Sequence, residues 1–241
     1  MNKTKINWVN KPGMQGYTWN PVTGCPLPLI SAGCKNCYAR KLAEGRLRGR
    51  FGYPQDDPFQ IIFHKDRLKQ PLKMKKPARI FVGSMGDIFH EKVTDWHLLQ
   101  KIYPIMRKTP QHTYMILSKR YKRMLEYKKN VKGFPNVYYG VSICDMKDWD
   151  KYAKTEGGFM DFISIEPLLQ KMVWGMCVHQ WVIVGGESGI NARSLNANWA
   201  RYIRDECKQH NTPFFMKQMS GTGRHLHDIP KDLRIREYPE W

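Results

Sequence analysis

Short apolar runs alternate with longer amphipathic stretches along most of the chain, and this alternation limits the possible folds more than any other feature. Runs rich in β-branched and aromatic residues are predicted as strands at 17–20, 80–83, 114–118, 137–142, 162–166, 181–185 and 213–217. They show no polar–apolar alternation, which is typical of parallel strands buried on both faces. Helices are predicted at 38–47, 95–107, 119–127, 145–154 and 198–210, with Asp95 and Asn198 as N-caps. The sequence therefore predicts an α/β fold.

The number of strand–helix units favours a partial barrel within one domain. A chain of 241 residues, 41% of them hydrophobic, can bury one sizeable core, so residues 1–241 are predicted to form a single domain. The polar, charged residues 221–241 are predicted to form a C-terminal surface extension. In a barrel of this kind the active site lies at the carboxyl ends of the strands.

Polar residues and glycines follow five of the predicted strands, at the ends where such a site is expected. They are Gly83, Ser84 and Asp87, then Ser118, Lys119 and Arg120, then Ser142, then Glu166, and finally Gly186 and Glu187. One polar residue at a strand end means little, but five in register with the predicted ends indicate a shared site.

The chain shows no signal for membrane insertion or secretion. No run of about 18 apolar residues occurs, and the N-terminus lacks a secretory signal. We therefore expect a cytoplasmic protein without a membrane partner. In a reducing compartment its six cysteines are core residues, metal ligands or reactive thiols rather than disulfides.

Three of the cysteines form a cluster with the spacing C-x8-C-x2-C: Cys25, Cys34 and Cys37. Three soft thiolates select zinc or an iron–sulfur cluster. A closed zinc site needs a fourth ligand, and none follows within a few residues, so zinc would require a distant residue such as His64 or His90. Three thiolates on a loop between a strand and a helix suit a [4Fe–4S] cluster with one open iron.

The segments around these cysteines, 19–25 and 33–39, resemble the signature of the phage Gp37/Gp68-like three-Cys-motif family, which is radical-SAM-like. The resemblance continues through 81–90, 117–120, 140–142, 164–169, 185–189 and 215–218. It implies a partial (β/α)6 TIM-like barrel with the cluster loop after the first strand. Two features depart from the wider superfamily: eight residues instead of three separate the first two cysteines, and Asn36 replaces an aromatic residue.

The resemblance also implies cofactors and roles. A [4Fe–4S] cluster held by Cys25, Cys34 and Cys37 would bind S-adenosylmethionine and receive electrons from a reductant protein such as flavodoxin or ferredoxin. Residues expected to contact S-adenosylmethionine or line its site are Gly83, Ser84, Asp87, Ser142, Glu166, Gly186 and Glu187. For Ser142 and Glu166, helix capping or an ion pair with Lys119 is the alternative. Cys144 is a candidate hydrogen-atom donor or else a buried core thiol.

The charge of the chain favours a polyanionic partner. Its formal net charge is +19, and residues 101–132 carry ten basic side chains against Glu126. Lys119, Arg120, Lys122 and Arg123 are the candidate phosphate contacts, and Tyr121 and Tyr127 would stack on bases or belong to the core. The alternative is a solvated basic surface that only keeps the protein soluble.

These features lead to one main functional hypothesis and two alternatives. The main hypothesis is a radical S-adenosylmethionine enzyme that modifies, rearranges or repairs a nucleic-acid base, with DNA favoured; such a base must be flipped out or single-stranded. The first alternative is an enzyme of the same type acting on a peptide or small metabolite. The second is a zinc-containing nucleic-acid-binding protein without enzymatic activity.

Overall fold

The fold is α/β and contains a mostly parallel sheet of eight strands. The computed structural model describes residues 1–26, 28–131, 134–155, 160–172, 179–222 and 228–241. Lys132 of the basic stretch and Cys177 lie outside the described residues. The pairings among the described strands do not close this sheet, so the α/β class is confirmed and the partial barrel stays a prediction.

All seven predicted strands are present, with bounds within one residue of those expected. The sheet order is β1-β2-β5-β6-β7-β8-β9-β10, and β3 pairs with β4 in a separate ribbon. The strands are β1 (Asn2–Lys3), β2 (Gly16–Trp19), β3 (Val22–Thr23), β4 (Ile62–Phe63), β5 (Arg79–Val82), β6 (Thr113–Ser118), β7 (Val137–Ile143), β8 (Phe162–Ile165), β9 (Val182–Gly185) and β10 (Phe214–Gln218). Every residue of β5, β8 and β9 is buried, as expected for parallel strands covered on both faces.

The helices also lie where the sequence places them, with differences at their ends. They are α1 (Tyr38–Glu44), a π-helix (Trp96–Ile102), α2 (Tyr103–Arg107), α3 (Tyr121–Asn130), α4 (Met146–Ala153) and α5 (Ala197–Gln209). The predicted helix 95–107 is thus divided, and Pro104 stands at the start of α2, where a missing N–H is tolerated.

Asp95 stands at the N-cap position of the π-helix but makes no capping hydrogen bond, and the predicted cap Asn198 is wrong. Asp95 accepts hydrogen bonds from Arg123 and Tyr127 instead of capping a helix, and Thr94 accepts from the His97 amide at 3.4 Å. Asn196, not Asn198, caps α5: its side chain accepts from the Asn198 amide at 2.9 Å. An Asn or Asp one or two residues away competes equally well in the sequence, so the pattern alone does not select the cap.

The chain divides into two compact units, the first formed by Met1–Leu29 and Cys37–Tyr139. In this unit β2 pairs in parallel with β5, and β5 with β6. Trp8 and Trp19 are fully buried beside these strands, and the Trp19 indole donates to the Arg67 carbonyl at 2.9 Å. The carboxyl ends of β2, β5 and β6 meet at one edge, where the polar loops begin.

The second unit comprises Ile30–Asn36 and Gly140–Trp241. Its strands β8, β9 and β10 pair in parallel around buried Phe162 and Trp181. The C-terminal residues run along β10, since the Met216 amide donates to the Ile235 carbonyl at 2.9 Å. The Trp181 indole donates to the Glu237 carbonyl at 2.9 Å, which fixes this segment to the core.

None of the helices in the described part of the chain is long and apolar enough to cross a membrane.

Candidate functional site

In the first unit, the loop that carries Cys25 is joined through its backbone to the loop that follows β5. The Gly24 amide donates to the Met85 carbonyl at 2.9 Å, and the Asp87 amide donates to the Gly24 carbonyl at 3.4 Å. Gly24 has a φ of 88°, and a Cβ there would lie 1.8 Å from the Gln60 carbonyl oxygen. Glycine is therefore required at position 24 both for its backbone conformation and for its lack of a side chain.

Ser84 lies in this same loop and is held by residues near the end of β2. The Asn20 amide group donates to Ser84 Oγ at 3.1 Å, and the Met85 amide donates to Asn20 Oδ1 at 3.0 Å. The Tyr38 hydroxyl donates to the Ser84 carbonyl. Gly83 starts the turn with a φ of 78°, a conformation that favours glycine. The predicted cofactor loop is thus a rigid turn after β5.

Asp87, Ser118 and Arg120 form a network with half-buried Cys25, so the structure brings residues from two predicted strand ends to the loop of the first clustered cysteine. Ser118 Oγ lies 2.9 and 2.8 Å from the two oxygens of Asp87, and the Phe89 amide donates to Asp87 Oδ1 at 3.0 Å. Arg120 Nη1 lies 3.2 Å from Asp87 Oδ2 and 3.4 Å from Cys25 Sγ. A cation at this distance favours the thiolate form of a cysteine, which is the form that binds metals.

Burial lowers the pKa of Arg120, but attraction to Asp87 and Cys25 outweighs burial, and the net pKa of Arg120 lies above its ordinary value. The guanidinium therefore stays charged. Nε also donates to Glu91 at 3.0 Å. The Asp87 carboxylate accepts from three groups of its own unit, so its predicted contact with S-adenosylmethionine stays a prediction.

Cys25 and Cys37 share an apolar environment in the first unit. Both pack against the core cluster of Ala39, Ala43, Tyr53 and Phe59, and both are half-buried. Cys37 precedes α1, and Arg40 on that helix donates to the Cys25 carbonyl at 3.0 Å. The helix after the motif thus fixes the backbone at Cys25 as well as carrying Cys37 at its start.

In the second unit, the segment Ile30–Asn36, which carries Cys34, is held near its start by Ser31. Ser31 Oγ donates to Asp148 Oδ2 at 2.6 Å and lies 3.4 Å from Cys144 Sγ. The same Asp148 oxygen accepts from the Cys144 amide at 3.1 Å. Cys144 is fully buried, and a Cβ on Gly33 would lie 2.3 Å from its sulfur. The thiol of Cys144 therefore packs against the segment that carries Cys34, at Gly33.

The same segment is held near its end by Glu187 and Arg193. Asn36 Nδ2 donates to Glu187 Oε2 at 2.9 Å, and Arg193 donates from Nε to this oxygen at 3.0 Å and from Nη2 to the Ala32 carbonyl at 3.1 Å. Burial raises the pKa of Glu187, but hydrogen bonds from Arg193 and Asn36 prevail and lower it to about 2. Glu187 thus helps to position the Cys34 segment, and its predicted place in the lining of the cofactor site stays a prediction.

Gly186 has a structural reason to be glycine that the sequence did not reveal. A Cβ at this position would lie 2.4 Å from the Ser220 amide nitrogen. The backbone at Gly186 thus approaches a neighbouring segment of its own unit closely.

A polar group of side chains lies on one face of β7, β8 and β10 in the second unit. Ser142 and Ser164 are register partners on neighbouring strands, which places their side chains on the same face. Glu166 forms an ion pair with Lys217, not with Lys119 as the alternative had it. Both side chains border Gly185, where a Cβ would be 3.4 Å from each. Ser164 Oγ is buried and has no hydrogen-bond partner among the described residues.

Cys25, Cys34 and Cys37 are half-buried thiols, and no disulfide joins any of them to another described cysteine. No group of three or more His, Cys, Asp or Glu side chains within the described residues is arranged to hold a metal ion. The donors are therefore of the right chemistry, while their arrangement around a metal stays a prediction.

A model of the family described as a protein of unknown function, DUF5131, matches residues 3–238. The chain belongs to this family. No curated protein and no solved structure matches it significantly. The match covers nearly the whole DUF5131 chain, including both units and all three clustered cysteines, but by itself it assigns no chemistry.

Two of the four predicted phosphate contacts of this DUF5131 chain make contacts within the protein, and phosphate binding by the four stays a prediction. The Arg120 side chain is 7% exposed and is held by Asp87 and Glu91. Arg123 donates to the backbone carbonyls of Phe89, His90 and Val93. Lys122 is exposed and Lys119 is half-buried. The alternative for Tyr127 is supported, since this ring is buried.

The supporting residues that were not predicted as site residues include Asn20, Glu91, Asp148, Arg193 and Lys217. Asn20 and Lys217 lie inside segments that carry the resemblance, so a signal for them existed. Arg193 and Asp148 act on a segment more than a hundred positions away in sequence, and no spacing pattern identifies such a partner.

Proposed function

We propose that this protein is a cytoplasmic radical S-adenosylmethionine enzyme that acts on a nucleic-acid base, with DNA as the favoured substrate. In this proposal Cys25, Cys34 and Cys37 hold a [4Fe–4S] cluster and the parallel strands form a partial (β/α)6 barrel. When bound and reduced, such a cluster supplies the electron that cleaves S-adenosylmethionine to methionine and a 5′-deoxyadenosyl radical.

The observation that carries the proposal is the position of Arg120, whose Nη1 lies 3.4 Å from Cys25 Sγ. A guanidinium buried beside a cysteine costs desolvation energy, and a metal-bound thiolate is a chemical reason for retaining it. The network also lies just beyond the carboxyl ends of β5 and β6, where parallel α/β folds place their sites.

The segments that carry Cys25 and Cys34 are each fixed by contacts within their own unit. Gly24 and the turn after β5 hold the backbone at Cys25, and Glu187 and Arg193 hold the segment with Cys34. A site that carries out radical chemistry must keep its ligands in fixed positions and exclude water. These contacts are the means by which this chain would do so.

The polar face of the second unit supplies groups for ligand recognition. Lys217 offers a cation, Glu166 a carboxylate, and Ser142 and Ser164 offer hydroxyls, with the Ser164 hydroxyl buried and without a described partner. A buried hydroxyl of this kind is satisfied when a polar ligand occupies the face. Cys144, 3.8 Å from the Glu166 carbonyl, is the candidate hydrogen donor near this face.

The test is reductive cleavage of S-adenosylmethionine by protein reconstituted with iron and sulfide without oxygen. With dithionite, the parent protein and C207A are expected to release 5′-deoxyadenosine, whereas C37A is not. Cys207 is a buried thiol on α5, so its replacement is the matched control. An iron-loaded parent that releases none would refute the proposal.

The substrate is tested in the same reaction. Single-stranded DNA is expected to raise the rate of cleavage and to gain a base of altered mass. Cleavage that ignores both DNA and RNA would favour the peptide or metabolite alternative, and a colourless protein that binds zinc would favour the non-enzymatic one.

A further inference from the structure

Arg120 is placed to do more than link the loops after β5 and β6. Its side chain is 7% exposed, and the Asp87 side chain that faces it is 10% exposed. Nε donates to Glu91 at 3.0 Å, while Nη1 is shared between Asp87 Oδ2 at 3.2 Å and Cys25 Sγ at 3.4 Å. All of these groups belong to the first unit.

Hydrogen bonds to Asp87 and Glu91 fix the orientation of the Arg120 guanidinium. Asp87 is held by Ser118 and by the Phe89 amide, and the Ser118 hydroxyl also accepts from the Arg120 amide at 2.9 Å. Glu91 is 70% exposed and adds a weaker hold. The guanidinium is planar and its N–H groups have fixed directions. The hydrogen bonds from Nε to Glu91 and from Nη1 to Asp87 therefore also fix the direction of the remaining Nη1 donor. That direction includes the sulfur of Cys25.

We propose that Arg120 is a positioning residue that donates a charge-assisted hydrogen bond to the Cys25 thiolate and thereby tunes the metal centre. This inference rests on the proposed function, because it assumes that Cys25 is a ligand. Hydrogen bonds to ligating sulfurs withdraw charge from the thiolate and raise the reduction potential of an iron–sulfur cluster. Outer-shell partners of this kind also change metal affinity by about 10- to 100-fold.

Arg123 gives a matched control. It lies three positions further on, is also partly buried, and donates to backbone carbonyls and to Asp95. Its guanidinium is thus directed at the loop after β5 and at Asp95 rather than at Cys25. If Arg120 acted only by stabilising the loops, replacing either arginine would have the same consequences for the cluster.

The experiment compares the parent with R120Q, R120K and R123Q after anaerobic reconstitution. Iron content is measured first, then iron loss to a chelator, and then the reduction potential by redox titration followed by electron paramagnetic resonance. R120Q is expected to shift the potential to more negative values and to lose iron about 10 to 100 times faster than the parent. R120K keeps the charge but not the directed donor, so its potential should lie between those of the parent and R120Q. R123Q should match the parent in potential.

The outcomes separate this inference from the proposed function. A parent that retains no iron would overturn the proposed function and this inference with it. If the parent retains iron and the cluster has the same reduction potential in the parent, R120Q and R120K, the inference alone is overturned. If R120Q does not fold, a reduction potential of R120K equal to that of the parent would overturn the inference. A shift of the potential in R123Q as large as the shift in the Arg120 variants would also overturn it.

Discussion

Replacing Glu187 by Gln should loosen the segment that carries Cys34. The side chain keeps its size but loses its charge, and with it the charge-assisted hydrogen bonds from Arg193. The pKa of Glu187 falls from 4.5 to about 2 in the folded protein. This difference corresponds to about 3 kcal/mol of stabilisation at neutral pH. Because a glutamine oxygen still accepts some hydrogen bonds, we expect a loss of about 2–3 kcal/mol.

The stabilisation has a defined pH dependence. The ionised form of Glu187 is the one that the fold favours, so its contribution is complete above the ordinary pKa of 4.5 and disappears as the pH falls towards about 2. The difference between the parent and E187Q should therefore be constant near neutral pH and shrink between pH 4.5 and pH 2.

Amide hydrogen exchange measures this effect where it arises. The Cys34 amide donates to the Ser31 carbonyl at 3.0 Å within the held segment. Its exchange should accelerate in E187Q by about 30- to 160-fold at neutral pH, from the expected free-energy loss. The control is D232N, since Asp232 has its pKa lowered to about 2 by hydrogen bonds from Arg201 and Arg204 but is exposed. An unchanged Cys34 amide in E187Q, or the same acceleration in D232N, would refute the reasoning.

Two further predictions concern the first unit. G24A should cost at least about 3 kcal/mol in urea unfolding, because it combines a strained φ with a clash against the Gln60 carbonyl; a cost below about 1 kcal/mol would mean that the loop is not as rigid as its contacts indicate. Replacing exposed Lys108, Lys122 and Lys129 by Gln should weaken DNA binding. If all three contact phosphates, the slope of log affinity against log salt concentration should flatten by about three units. R123Q is expected to lower stability instead. A parent protein whose affinity does not change with salt would remove the nucleic-acid substrate from the proposal.

The sheet could be predicted from the sequence because its strands are long enough to give a pattern. Fully buried strands such as β5 and β8 appear as unbroken apolar runs, and each lies within one residue of the expected position. The two-residue strands β1, β3 and β4 were missed, since two residues carry no periodicity. The change from π- to α-helix within 95–107 was also missed, since the apolar pattern predicts a helix without distinguishing the two.

The sequence identified several residues of the candidate site, but it did not predict which contacts these residues make. Asp87 and Ser118 do meet near Cys25, as strand-end residues of neighbouring parallel strands should. Yet Arg120 carries the same charge in the sequence whether it faces solvent or a thiol, and only burial distinguishes the two. Glu187 and Arg193 likewise act on a segment that is remote in sequence, so their role is visible only in three dimensions.

The metal content of the protein purified without oxygen tests the central claim most directly. The account predicts a brown protein with about four irons and four sulfides per chain, and loss of that iron when Cys25, Cys34 or Cys37 is replaced singly by Ala but not when Cys207 is. A colourless parent, or one whose iron survives the loss of any of the three cysteines, would contradict it.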